Sequence, residues 1–156
     1  MNKNELNEYI KKAEDGDVNS QVLLGLTYLN GTDEIPANDK EAFKWFKAAA
    51  EQGNPIAQVN LGLCYDIGIG VKVDYNEAFR WFKSAAEQGI AEAQYNLGIC
   101  YYKGKGTKKD YKKAFRWYKA AAEQSYAPAQ YNLGLCYDIG IGVKRDNKKA
   151  FSLYKA

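Results

Sequence analysis

The chain has 156 residues, enough for one domain or one continuous array. Hydrophobic residues make up 46% and charged residues 26%, which excludes a wholly disordered chain, and a net charge of +3 is too small to mark a nucleic-acid binder. The complete absence of His removes any Ser-His or Cys-His catalytic couple and any imidazole metal ligand, and three Cys cannot all pair internally.

The N-terminal segment lacks the apolar stretch of a signal peptide, and no stretch is long enough to span a membrane, so a cytoplasmic location is expected. Leu6, Tyr9, Ile10 and Ala13, followed by Gly16, predict a lone amphipathic helix over residues 1–16. Its Lys3, Glu5, Glu8, Lys11 and Lys12 make it a polar cap for an array of repeats. From residue 17 the chain repeats itself. Asn60-Leu61-Gly62 returns as Asn96-Leu97-Gly98 and Asn132-Leu133-Gly134, at a spacing of 36. Trp45, Trp81 and Trp117 keep the same interval, and Leu153 takes the fourth place. The first copy, at Leu24-Gly25, is offset by 37, which puts one extra residue in its loop between Gly31 and Asn38.

Each copy predicts two helices, A and B. In helix A, Ala57, Leu61, Cys64, Tyr65 and Gly68 fall on one face; in helix B, Ala78, Phe82, Ala85 and Ala86 form a stripe. Asn54 before Pro55 is an N-cap followed by Pro at the first helical position. Asn38, Asp74, Asp110 and Asp146 are N-caps for helix B, and Asn38 with Glu41 and Asp74 with Glu77 predict capping boxes. Gly53 and Gly89 end helix B in the left-handed conformation, where Ser125 departs from the pattern. The expected boundaries are a capping helix at 1–16, full repeats at 17–53, 54–89 and 90–125, and a truncated repeat at 126–156 with an open C-terminal end suited to self-association.

The pattern A-x3-L-G-x2-Y-x2-G-x-G, then D-x3-A-x2-W-x3-A-A-x2-G, resembles the Sel-one-like repeat family, relatives of tetratricopeptide repeats. Here it reads Ala57, Leu61, Gly62, Tyr65, Gly68, Gly70, then Asp74, Ala78, Trp81, Ala85, Ala86, Gly89. The resemblance implies an all-α fold, an α/α superhelical solenoid that serves as an adaptor for other proteins or peptides. It implies neither catalysis nor a cofactor.

Two motifs read as structure. Cys64, Cys100 and Cys136 form one column on the core face of helix A, so a small buried packing role fits them better than metal or redox chemistry. Gly104-Lys105-Gly106-Thr107 has the wrong spacing for a phosphate loop and no strand before it, so it reads as a turn.

The candidate partner-binding residues lie on the outer face of helix A, which related solenoids turn to their concave side. They are Val59, Leu63, Tyr95, Ile99, Tyr102, Tyr131 and Leu135, an apolar set where a solvated face would be polar. Beside them Asn60, Asn96 and Asn132 form a column of amides, which either holds an extended peptide backbone or stiffens the array. Charge is divided along the chain. Residues 1–78 carry seven Lys/Arg against thirteen Asp/Glu, a net of −6; residues 79–156 carry fifteen against six, a net of +9. Lys105, Lys108, Lys109, Lys112, Lys113, Lys148 and Lys149 gather on one loop edge, with four of them in the first turn of a helix B, where positive charge opposes the helix dipole. This edge suits an acidic protein partner.

The function expected is a non-enzymatic protein-interaction scaffold, with no cofactor and no membrane association. The alternative is nucleic-acid or polyanion binding through the basic C-terminal half, where Tyr111, Tyr118 and Tyr154 accompany the lysines. An enzyme is the poorest fit, because the repeat-related Asp66 and Asp138 are separated by two repeats.

Overall fold

A computed structural model describes all of residues 1–156. Nine helices and no strands make up the chain: α1 (Lys3–Glu14), α2 (Val18–Asn30), α3 (Asp39–Glu51), α4 (Pro55–Ile67), α5 (Tyr75–Glu87), α6 (Ala91–Lys103), α7 (Tyr111–Glu123), α8 (Ala127–Ile139) and α9 (Asn147–Lys155). None is long and apolar enough to cross a membrane. Even-numbered helices are the A helices and odd-numbered ones the B helices. The chain divides into two compact units, Met1–Trp81 and Phe82–Ala156, with the division inside α5.

In the first unit α1 packs on α2, α2 on α3 and α3 on α4. Ala13, Leu24 and Trp45 are buried together, with Leu6, Tyr9 and Ile10 of α1 against them, so α1 is the lone B-type helix that its apolar spacing predicts. A second core joins Ala42, Phe46, Ala49 and Ala50 of α3 to Ala57, Leu61 and Cys64 of α4. The second unit repeats this order with α6 on α7, α7 on α8 and α8 on α9. Its core holds Leu97, Tyr118, Ala121, Leu133 and Cys136.

Local chemistry explains why the helices begin and end where they do. Asn54 Oδ1 accepts from the Ala57 N–H at 2.9 Å, and Pro55 opens α4. Asn38, Asp74, Asp110 and Asp146 cap the B helices as expected. The capping boxes differ from expectation: the N–H groups of Asn38 and Asp74 are taken by the Tyr28 and Tyr65 carbonyls, so Glu41 and Glu77 pair forward instead, with Lys44 at 3.9 Å and Arg80 at 2.6 Å. The complete capping box is in α1, between Asn2 and Glu5. Helices α4, α6 and α8 end on left-handed Gly68, Gly104 and Gly140, whose N–H groups donate to Cys64, Cys100 and Cys136 carbonyls. Ser125 takes the left-handed conformation at φ 63°, as its place in the repeat demands.

The A-to-B loop closes the same way in every copy. The backbone N–H of Asn38, Asp74, Asp110 or Asp146 donates to the carbonyl of Tyr28, Tyr65, Tyr101 or Tyr137, at 2.7–2.9 Å. The Leu-Gly pair of helix A has a steric reason. The rings of Tyr118 and Tyr154 lie against the backbone at Gly98 and Gly134, where a Cβ would come within 2.7 and 2.6 Å of ring carbons. Glycine there lets the helix B aromatic approach the helix A backbone.

Candidate functional site

The second unit contains a cavity of about 290 Å3 walled by α6, α7 and α8. Tyr95, Ile99, Tyr102 and Lys103 come from α6 and Tyr118 from α7. Asn132, Leu135, Cys136 and Ile139 come from α8, and Ile141 from the loop after it. The volume is at the low end of the range for small-ligand sites, about 300–1,000 Å3, and suits one large side chain.

The helical period puts these residues together. Tyr95, Ile99 and Tyr102 are spaced by four and three, and Asn132, Leu135 and Ile139 by three and four, so each set forms one stripe. Aromatic pairs build the walls. Tyr95 meets Tyr118 at 6.0 Å and Tyr126 at 5.5 Å between ring centroids. Tyr126 stands at the N-cap of α8, makes no side-chain cap bond and packs on Tyr95 behind the cavity lining. Tyr102 stacks on Tyr111 at 5.4 Å, and Lys109 Nζ lies 5.7 Å from the Tyr111 ring. This series of contacts joins the cavity to the basic edge.

Tyr118 stands where the earlier copies have Phe46 and Phe82, so its hydroxyl adds a polar group to a ring position of the core. Burial pushes its phenol well above the ordinary range, and the amide of Asn132 beside the hydroxyl opposes that shift. Burial also pushes the Cys136 thiol up to about 11 and, in the first unit, the Cys64 thiol up to about 12. All three cysteines are buried, as a packing column requires, and no group of His, Cys, Asp or Glu is arranged to hold a metal ion.

Five residues of the expected partner-binding set therefore share one cavity: Tyr95, Ile99, Tyr102, Asn132 and Leu135. The others are placed elsewhere. Val59 is 3% exposed and belongs to the interior, and Leu63 is half-buried on the same helix. Tyr131 is 57% exposed and packs on Tyr154 at 5.6 Å. The three amides do not act alike. Asn60 and Asn96 donate to the Ile56 and Glu92 carbonyls one turn back, at 2.9 and 3.0 Å, while Asn132 faces Tyr118.

The amide network that recurs in both units runs instead through glutamines. Gln21 and Gln94 donate to the Ala13 and Ala86 carbonyls, and accept from Gln52 and Gln124 at 2.8 and 2.9 Å. Gln52 and Gln124 also reach the Gly16 and Gly89 carbonyls. The sequence signal is a Gln at the same place in every A helix, but charge and apolar patterning do not register a neutral amide.

Two lysines of the basic edge replace glutamates of the first unit. In the first unit Glu41 and Glu77 lie near Tyr28 and Tyr65, and their charges add to the upward shift of both phenols. In the second unit the same positions are Lys113 and Lys149, whose Nζ atoms lie 5.4 and 5.3 Å from the Tyr101 and Tyr137 rings. Lys112 and Lys113 also border a surface hollow with Asp110, Phe115, Arg116 and Gly142. Ion pairs engage Lys44, Lys47, Arg80 and Lys83, but none engages Lys103, Lys108, Lys109, Lys112, Lys113, Lys148 or Lys149. Lys105 is half-buried in the loop and has a partner within the fold.

Comparison with known proteins agrees with this architecture. The Sel1 repeat model matches residues 18–54, 55–90, 91–126 and 127–156. The crystal structure of a Sel1 repeat protein from Oxalobacter formigenes is 38% identical with a TM-score of 0.90, over 96% of this chain and 59% of that one. A protective antigen of uropathogenic Escherichia coli displaying an SLR fold is 40% identical with a TM-score of 0.90, over 96% of this chain and 32% of that one. An F-box protein of Arabidopsis thaliana is 43% identical over 63 residues, which are 40% of this chain and 17% of that protein. The chain thus spans 59% or less of these relatives' lengths. Four matched repeats and near-complete superposition on solved solenoids make the chain an all-α member of the Sel1 repeat family.

Proposed function

We propose that the chain is a non-enzymatic scaffold that binds a peptide or protein segment on the helix A face of its second unit, over the cavity between α6 and α8. Sel1 repeat proteins are generally protein–protein interaction scaffolds. The observation that carries the proposal is the convergence of five outer-face residues, spread over two helices of consecutive repeats, on one apolar cavity. Ile139 at this cavity is 63% exposed, an apolar side chain left to solvent where a partner can cover it.

The alternative, polyanion binding through the basic half, receives less support from the aromatic residues. Single strands need open ring faces for base stacking. Here Tyr111 stacks on Tyr102, Tyr154 packs on Tyr131, and Tyr118 is 3% exposed.

Affinity capture from the native source with wild type, an Ile139→Ser variant and a Tyr102→Ala variant tests the proposal, with circular dichroism to confirm folding. A partner held by wild type and lost by both variants is the expected result. Partners retained equally by all three place the binding surface elsewhere.

A further inference from the structure

The cavity and the unpaired lysines are parts of one continuous surface, and that continuity specifies an occupant. Lys103 is itself a wall of the cavity. Tyr102, the neighbouring wall, stacks on Tyr111, and Tyr111 carries Lys109 over its ring. Lys108, Lys112 and Lys113 extend the same edge, and no carboxylate pairs with any of these five lysines. The second unit as a whole has fourteen Lys/Arg against six Asp/Glu, a net of +8.

This arrangement is costly to the fold taken alone. At the first turn of α7, Lys113 stands where α3 and α5 carry Glu41 and Glu77, and one turn on Arg116 stands where Lys44 and Arg80 complete ion pairs. Two attractive i,i+3 pairs in the earlier copies thus become a repulsive pair in α7, at a helix end that already disfavours cations. A partner bearing carboxylates relieves both effects on binding. The cavity itself has room for one large side chain and offers mainly aliphatic and aromatic walls.

From this continuity we infer that the second unit recognises an acidic polypeptide segment that presents one large apolar residue: the apolar side chain enters the α6–α8 cavity while neighbouring carboxylates meet Lys103 and Lys109. The inference rests on the proposed scaffold function and assigns its partner chemistry. The hydrophobic anchor supplies affinity, and the lysines supply orientation, selectivity against basic sequences and a fast, salt-sensitive approach.

Selection of a displayed library of random peptides on the full chain tests it, with two counter-targets. Leu135→Trp fills the cavity; Ile139→Ser changes an exposed lining residue and leaves the core intact. A selected peptide is then synthesised with a fluorescent label for anisotropy. Enriched sequences are expected to share one large apolar residue flanked by Asp or Glu. Replacing that apolar residue by Ala should weaken binding about tenfold or more, the scale of one lost anchor. Lys103→Gln with Lys109→Gln should weaken it and flatten its dependence on salt. Cavity-dependent peptides with neutral or basic flanks would overturn the acidic assignment while leaving the scaffold site in place. Enrichment indifferent to both counter-targets would overturn the assignment and the site together. Oligouridylate bound more tightly than any selected peptide, with the same lysine dependence, would replace the polypeptide by a nucleic acid.

Discussion

Gly98 shows how one residue type serves the whole array. The Tyr118 ring lies on the α6 backbone so closely that a Cβ on Gly98 would stand 2.7 Å from it. The atoms met are ring carbons Cδ1 and Cε1 of a buried side chain, not the far end of a flexible tail. Gly98→Ala should therefore cost about 1–3 kcal/mol, the scale of an overpacked core, seen as a lower urea midpoint. An unchanged midpoint would show that the ring is free to shift. Tyr118 is equally informative, because its hydroxyl gives Asn132 a partner that Asn60 and Asn96 lack. The repeat assigns all three amides to one column, yet two bond back within their own helix and the third meets the Tyr118 hydroxyl.

At the scale of elements, the B helices show the same fold built with opposite charges. Lys113 gains from the Tyr101 ring, at about 0.5–1 kcal/mol for an exposed cation–π contact. Against this stand an unfavourable helix dipole, about 0.3–1 kcal/mol, and repulsion from Arg116. Lys113→Glu reverses both of the unfavourable terms and loses only the ring contact. Its net effect should be a gain of about 1 kcal/mol, measured by urea denaturation, together with weaker binding of an acidic peptide. A loss of stability would mean that the Tyr101 contact outweighs the dipole. The A helices differ in another way. Their ends are legible from Asn54-Pro55 and from Gly68, Gly104 and Gly140, since caps are local chemistry. The glutamine network is not legible, because Gln21 and Gln52 are 31 residues apart and meet only when helices stack.

For the whole molecule, buried thiols tie stability to alkaline pH. The unfolded thiol titrates near 9.0, and burial in the fold pushes Cys64 up to about 12 and Cys136 up to about 11. Between those values the native chain holds protons that the unfolded chain releases, so stability falls as pH rises from about 9 toward 11. The buried Tyr118 phenol acts in the same direction. Urea midpoints should drop over this interval, and Cys64→Ala with Cys136→Ala should make the drop shallower. A midpoint that stays flat to about pH 10.5 would contradict the burial of these groups.

What the sequence determined by itself was the periodic part: helix number, caps, the Sel1 repeat pattern and the core column of cysteines. These come from short-range spacing, repeated four times, so each copy checks the others. What only the tertiary structure decided was which outward residues stay outward. Val59 and Tyr95 occupy equivalent places, yet one is interior and the other walls a cavity. Angle around a helix shows where a side chain points. Whether a neighbouring helix covers it depends on its own volume and on what that neighbour brings: a Val is covered in the first unit, while a Tyr in the second meets Tyr118 and Tyr126.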